Sequence, residues 1–417
     1  MQLVEKHIIK KGHALWAECD RLCFLSKNLR NAALYQIRQA FFADEGKYLG
    51  YNELQKQFQN ENQVDYRALP AKVAQQILMQ LDKDFCSFFK ANQSYRENPN
   101  KFLGKPKIPR YKDPEKGRNA LRYTIQAISK VELNKGFIKL SQTNIKFPTK
   151  IKAKEIGQVR IVPFSNCYKI EVVYEKLERV QSLDNRKYAA IDLGVTNLAT
   201  VVSNVKAVKP LIINGKPLKS INQFYNKERA KLQAFAELEK QKTSKRLEKL
   251  THQRNCKVDN YLHNASRFIT NQIVSQAITK VVIGKNDLWK QEVKMSRQNN
   301  QNFVSIPHAE FIKQLKYKLE LEGVEVIVQE ESYTSKCSFL DNEPLKKQET
   351  YCGKRIKRGL FKASSGQLLN ADVNGGGNIL RKAFPNAFTA EGIEGVVVRP
   401  IRVTPYKINA KTYLSMF

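Results

Sequence analysis

The chain has 417 residues, 42% of them hydrophobic, and its 72 Lys and Arg against 39 Asp and Glu give a formal net charge of +33. That apolar content excludes a disordered polypeptide, and the length suggests two or three domains. So large a positive charge, spread along the sequence, fits a polyanionic partner and argues against a soluble ATPase of small metabolites. No apolar run is long enough to span a bilayer, the first residues lack a signal-peptide pattern, and the seven cysteines show no paired spacing. The expectation is a cytoplasmic protein with no membrane partner, in a reducing compartment.

Residues 1–14 read as a basic strand. From Leu15 to Phe42 the apolar residues Trp16, Cys19, Leu22, Cys23, Leu29 and Ala33 recur at helical spacing, while Arg21, Lys27, Arg30 and Arg38 mark the opposite face. A second helix starts at Leu69-Pro70 with the stripe Val73, Ile77, Leu81, Phe85 and Phe88. These helices predict an N-terminal helical lobe over 15–112 whose basic face forms a polyanion groove. Its end, Gly104 to Lys112, is broken by prolines and reads as an extended connector, with Lys105, Lys107, Arg110 and Lys112 as nucleic-acid contacts. Short alternating runs between Leu121 and Glu175 then predict a small antiparallel β-barrel or sheet, assigned to 113–183 together with 1–14.

Tyr188 to Ser203 reads as a strand, a turn at Gly194 and a second strand, with Asp192 set in the first apolar run. A carboxylate there is costly unless a cation meets it, which makes Asp192 a metal-ligand candidate against the plainer reading of a turn-opening Asp. The wording resembles two families, the phosphate loop of chaperone and sugar-kinase ATPases and the metal-binding strand of RuvC-like nucleases. A third strand follows near Ile212, then a charged helical insertion over about 222–258 and a more apolar helix from Asn260 to Thr279. Lys280–Gly284 is a buried strand, Pro307–Leu321 a helix and Val324–Val328 a strand. That order predicts an α/β multidomain protein with a ribonuclease H-like mixed sheet carrying a helical insertion, over 184–385. The further motifs that an ATPase needs are missing. Asp372 opens a small-residue helix that can stand close to the sheet, or simply caps that helix; residues 386–417 read as a C-terminal tail.

Asp192, Tyr333-Thr334-Ser335-Lys336 before Cys337, Gly104-x-Pro106 with Pro109-Arg110-x-Lys112, and Asp372-Val373-Asn374 leading into Asn378-Ile379-Leu380 together resemble the TnpB (OrfB) family over residues 1 to 385. The resemblance implies a transposon-associated, RNA-guided DNA endonuclease, a relative of type V CRISPR nucleases. Its partners would be a guide RNA and a double-stranded DNA target with a short adjacent motif. It implies a RuvC site with two magnesium ions about 4 Å apart, and a monomer is favoured over an oligomer.

Two departures from the family stand out. The middle carboxylate is expected where this chain has Gly284, so either the site is silent, leaving an RNA-guided DNA-binding repressor or roadblock, or another acid fills it. A subset of the family resembles this chain in placing a Glu two residues before Tyr-Thr-Ser-Lys. Glu331 is therefore preferred over Asp287 and over Glu330, which strand alternation turns to the opposite face. The expected catalytic and magnesium set is Asp192, Glu331 and Asp372. The second departure is a degenerate zinc-finger loop over about 337–366: Cys337 and Cys352 are only two of the four ligands a closed site needs, so no zinc is expected. Lys354, Arg355, Lys357 and Arg358 in that loop, with Arg30, complete the predicted nucleic-acid contacts.

Overall fold

The structure, a computed structural model, describes residues 1–43, 46–165, 167–180, 183–241, 243–285, 297–388 and 399–405. The chain divides into two compact units, Met1–Lys176 and Leu177–Phe417, a break a few residues before the expected 183/184.

Unit 1 begins with strand β1 (Gln2–Lys10), then helices α1 (Trp16–Phe42), α2 (Tyr51–Asn60), α3 (Val64–Arg67) and α4 (Ala71–Glu97). Strand β2 (Leu121–Thr124), helix α5 (Lys130–Asn134), the short strands β3 (Phe137–Lys139) and β4 (Lys146–Pro148), and the long strands β5 (Ile156–Phe164) and β6 (Cys167–Glu175) follow. The sheet order is β1-β6-β5-β2, antiparallel throughout. Its ladder is open: β1 and β2 are its edges, β3 and β4 pair separately, and among the described residues no pairing closes it into the expected barrel. Nor do the helices form a lobe of their own. Leu22, Leu29 and Ile37 of α1 and Leu81 and Phe85 of α4 share one buried core with Tyr123, Ile161 and Ile170 of the sheet.

The basic face of α1 is not the open groove that its sequence suggests. Arg21 pairs with Glu18, Lys27 is buried with its ammonium donating to the Pro114 carbonyl, and Arg38 lies over the Tyr111 ring at 5.1 Å. Arg30 donates to the Arg110 carbonyl at 2.9 Å and faces Asp84 at 3.6 Å. Asn31 exchanges two hydrogen bonds with the Lys112 backbone. The connector thus lies along α1 by its backbone, and the side chains of Lys105, Lys107, Arg110 and Lys112 are left exposed.

Unit 2 contains β7 (Tyr188–Leu193), β8 (Asn197–Ser203), β9 (Leu211–Asn214), α6 (Lys216–Leu238), α7 (Lys245–Ser275), β10 (Lys280–Gly284), α8 (Arg297–Val304), α9 (His308–Leu321) and β11 (Glu325–Gln329). Strands β12 (Lys354–Lys357), β13 (Leu360–Lys362) and β14 (Leu368–Asn370), helix α10 (Ala371–Ala383) and strand β15 (Ile401–Val403) complete it. The main sheet runs β11-β10-β7-β8-β9-β15. Strands β7, β8 and β9 are antiparallel neighbours; β10 and β11 add parallel to β7, and β15 parallel to β9. Ile191, Ile283, Leu262, Ile269, Phe311 and Leu315 build the core under α7 and α9, whereas Ala190 and Val282 meet Ile379 and Leu380 of α10 on the other face. Strand alternation therefore turns Asp192 toward α10.

Two expectations need correction here. The helical insertion, a hairpin of α6 and α7, has no end near 258: no Gly or Pro interrupts 245–275, so α7 runs on through the helix expected from Asn260, and Ser244 caps its start by accepting from the Leu247 amide. The segment 386–417 is not wholly a tail, since Ile401–Val403 is an edge strand; 389–398 and 406–417 lie outside the described residues. Among the described residues no helix is long and apolar enough to cross a membrane.

Asp20 ties unit 1 together. Arg118 donates to both of its oxygens, at 2.8 and 3.0 Å, and the Tyr168 hydroxyl donates to one of them. The Arg118 hydrogen bond holds the Asp20 carboxyl below its usual range against the opposing effect of burial. A depressed folded-state value means stability that is present above the unfolded carboxylate's pKa and lost as pH falls through the folded one. Asp20→Ala is expected to lower unfolding free energy by about 1–3 kcal/mol near neutral pH, with a flatter acid limb in urea melts. Equal acid limbs in the two proteins would contradict this.

Candidate active site

Asp192 sits in β7, paired with Thr200 of β8, at the end of the strand where β10 also stops. Burial raises its carboxyl well above the usual value, Glu331 and then Asp372 add to the rise, and Arg355 opposes it. Glu331 and Asp372 thus both lie close enough to Asp192 to act on its carboxyl. Gly284, the last residue of β10, pairs with Gln329 of β11, so Glu331 leaves the neighbouring strand just past it. A Cβ added at Gly284 would stand 2.4 Å from Glu331 Oε2. The Glu331 carboxylate occupies the room in which a side chain at 284 would begin. Burial first, and Glu330 second, push the Glu331 carboxyl up to about 7, with Lys382 opposing.

The turn after Glu331 is held from several sides. Tyr333 takes a positive φ of 66°, a conformation that bulky residues rarely adopt, and the Thr334 hydroxyl donates to the Glu331 carbonyl at 2.8 Å. The fully buried amides of Asn374 and Asn378 on α10 donate to the Cys337 carbonyl, each at 2.8 Å, and Asn378 donates also to the Thr334 carbonyl at 2.9 Å. Glu330 points elsewhere, accepting from Lys382 at 2.7 Å and from Ser332. Asp287 lies outside the described residues.

Asp372 is not the helix cap. Asn370 caps α10, accepting from the Asp372 and Val373 amides, which leaves the Asp372 carboxylate for other partners. Asn197 donates to its Oδ2, and Arg355 stands 3.5 Å from its Oδ1. The helix approaches the sheet closely because it carries no side chain at the crossing: a Cβ on Gly375 would lie 2.9 Å from Asp192 Oδ2. Among the described residues no three His, Cys, Asp or Glu side chains form a ready metal cage.

In the 337–366 loop a carboxylate does the bridging. The buried Glu343 accepts from the Ser338 amide at 2.6 Å and the Cys352 amide at 3.0 Å, so it joins the two cysteine-bearing turns. Both cysteines are free thiols. Strands β12, β13 and β14 form a small sheet beyond them, with Lys354, Arg355, Lys357 and Arg358 exposed. Arg30, by contrast, is engaged inside unit 1. Asn197 and Glu343 carry no site signal in the sequence, and Asn374 and Asn378 enter there only as part of a motif; Asn197 follows Asp192 in the same hairpin, whereas the partners of the others depend on tertiary contact.

Residues 167–290 match the family OrfB_IS605, described as a probable transposase, and residues 308–379 match the Cas12f1-like TNB domain. The resemblance to TnpB (OrfB) holds. A cryo-EM structure of a Cas12f1–sgRNA–target DNA complex shares the mixed α/β fold at 15% identity and a TM-score of 0.51, covering 87% of this chain and 83% of that one. A CRISPR-Cas12f ternary complex aligns at 13% identity and a TM-score of 0.36, covering 87% and 82% of the two chains. The mini-RNA-guided endonuclease CRISPR-Cas_phi3 aligns at 13% and 0.35, covering 55% and 52%. No curated protein matches the chain.

Two substitutions probe this construction. Gly284→Ala would force a methyl onto Glu331 Oε2 and to 2.6 Å from Ile379 Cδ1, and is expected to cost about 1–3 kcal/mol in thermal or urea melts. Glu343→Ala strands the buried Ser338 amide and frees the Cys352 amide, and should cost about 1–3 kcal/mol, with trypsin cutting 337–366 faster than in the wild type. Unchanged melts for both would contradict the packing described.

Proposed function

We propose that the protein is an RNA-guided DNA endonuclease of an insertion sequence, a phosphodiester hydrolase whose RuvC-like site uses Asp192, Glu331 and Asp372. The observation that carries this reading is the Glu331 carboxylate in the side-chain space of Gly284, electrostatically coupled to Asp192. Three antiparallel strands, with β10 added parallel to β7 and β11 parallel to β10, support a ribonuclease H-like reading of unit 2. The Cas12f1 structure that shares the fold is a complex with sgRNA and target DNA. Both partner classes are carried to this chain, as a guide RNA and a double-stranded DNA target with a short adjacent motif, and the +33 charge suits them.

The donor set fits magnesium, since three carboxylates are hard oxygen ligands and a nearby cation would let the desolvated Asp192 and Glu331 both ionise. Asp192, Glu331 and Asp372 would hold it, and bound there it would supply a polarised phosphate and an activated water. The chain's own residues set the stage. Asn197 orients Asp372, Arg355 places positive charge beside it, and Lys382 with Ser332 keeps Glu330 out of the site. The α10 asparagines fix the turn from which Glu331 reaches back. Zinc has no part in this reading, because Glu343 already joins the two halves of the loop where it would bind.

Purified protein is expected to carry a discrete RNA and less than one zinc per chain by metal analysis. With that RNA and a matching target in magnesium, Asp192→Ala, Glu331→Gln and Asp372→Ala should abolish cleavage and leave target binding nearly intact, whereas Glu330→Ala should keep most activity. Adding Gly284→Glu to Glu331→Ala should restore part of the cleavage, since it returns a carboxylate to the same space. A fully active Glu331→Ala enzyme would sink the site assignment. A wild type that binds its guided target and never cuts it would make the protein a guided DNA-binding repressor instead.

A further inference from the structure

Beside the acid site two cations converge on one hydroxyl. Thr196, in the turn between β7 and β8, accepts from Lys219 Nζ at 3.1 Å and from Arg358 Nη2 at 3.0 Å. Lys219 comes from the first turns of α6 and is half-buried; Arg358 comes from the exposed turn between β12 and β13. Among the described residues neither cation has a carboxylate partner. A threonine hydroxyl has two acceptor lone pairs and one proton. With both lone pairs engaged by Lys219 and Arg358, the Thr196 proton is left to donate to a third group, and the surplus Lys and Arg protons face the same way. Burial lowers the Lys219 amine first, and repulsion from Arg358 and Lys216 lowers it further. An anion with several oxygens answers all of this, and a neutral ligand does not.

The position narrows the choice of anion. Thr196 precedes Asn197, whose amide holds Asp372, and Arg358 lies three residues from Arg355, which faces the other Asp372 oxygen. We propose that Thr196, Lys219 and Arg358 form a subsite for one internucleotide phosphate of the DNA strand being cut, beside the acid site and separate from it. This rests on the nuclease reading above. Because Lys219 and Arg358 belong to segments far apart in sequence, the subsite would also fix the register of the strand over the carboxylates.

The test is a methylphosphonate scan. One uncharged linkage at a time is placed in each strand of a guided target near the cut, and cleavage is measured for the wild type, Lys219→Gln, Arg358→Gln, the double variant and the conservative Lys219→Arg. Melting curves first establish that each variant folds. In the wild type one linkage next to the cut should lose about tenfold in kcat/KM when neutralised, the loss expected for a hydrogen-bonded charge. The double variant should be about tenfold slower on unmodified DNA and indifferent to that linkage, and Lys219→Arg should keep the wild-type profile. A scan with the same dip in wild type and double variant overturns the subsite. So does a variant that loses guide-RNA affinity while its scan is unchanged, which would assign the cations to RNA. If the wild type cuts no unmodified target the nuclease reading fails instead, and the same scan read as target dissociation constants decides the subsite by the same criterion.

Discussion

A carboxylate taken out of water resists ionisation, and in unit 2 the desolvated Asp192 does so with Glu331 and Asp372 close enough to add to the effect. Burial and mutual repulsion raise Asp192 and burial raises Glu331. Their positions are set by the backbone. β7 and β10 end at the same level, α10 crosses with Gly375 against Asp192, and Asn370 takes the capping role so that Asp372 does not have to. The two buried asparagines on α10 then clamp the turn after Glu331 to the helix that carries Asp372. Acid positions from three distant segments thus share one rigid support.

Positive charge is used in two ways in this chain, and the net figure of +33 does not distinguish them. Lys27, Arg30 and Arg118 donate to backbone carbonyls or to Asp20 and Asp84, where they hold the path of the connector and join helix to loop. A polar hydrogen bond that is charge-assisted is stronger than a neutral one, and losing such a partner leaves a buried acceptor unsatisfied. Those cations stabilise the fold. Lys105, Lys107, Lys354 and Lys357 are exposed, and they remain available to a polyanion. The helix spacing of basic residues in α1 therefore described a packing face, because the connector that covers it is distant in sequence.

Periodicity made the long elements legible. The stripe from Cys19 to Ala33 and that from Val73 to Phe85 are buried in α1 and α4, and the alternating runs near Gln158 and Lys169 lie in β5 and β6. The short helices α2 and α3 leave little periodic signal, being brief and strongly polar, with burial confined to Leu54, Phe58 and Tyr66. The choice between barrel and sheet was open for a different reason: alternation records that a strand has two faces, and carries no information on whether the outer strands meet. At the site, Asp192 stood out as a lone acid in an apolar strand. Asn197, Glu343 and the Thr196 cluster were invisible, because an asparagine, a glutamate or a threonine acquires its role only from partners the chain brings up later.

Gly284 and Glu331 are two descriptions of one volume. A glycine at the end of a buried parallel strand ordinarily weakens it, through lost packing and greater backbone freedom in the unfolded chain. Here the lost packing is returned from the next strand, whose Glu331 side chain folds back over the glycine, and Ile379 closes the space from α10. The exchange is possible because β10 and β11 are parallel and in register, so that residues just past the end of one lie beside the end of the other. It also couples the two positions: a side chain at 284 would have to displace the Glu331 carboxylate and the Ile379 tip. A side chain that follows one strand of such a sheet can therefore fill the space at the end of its neighbour, provided that the neighbour is bare there.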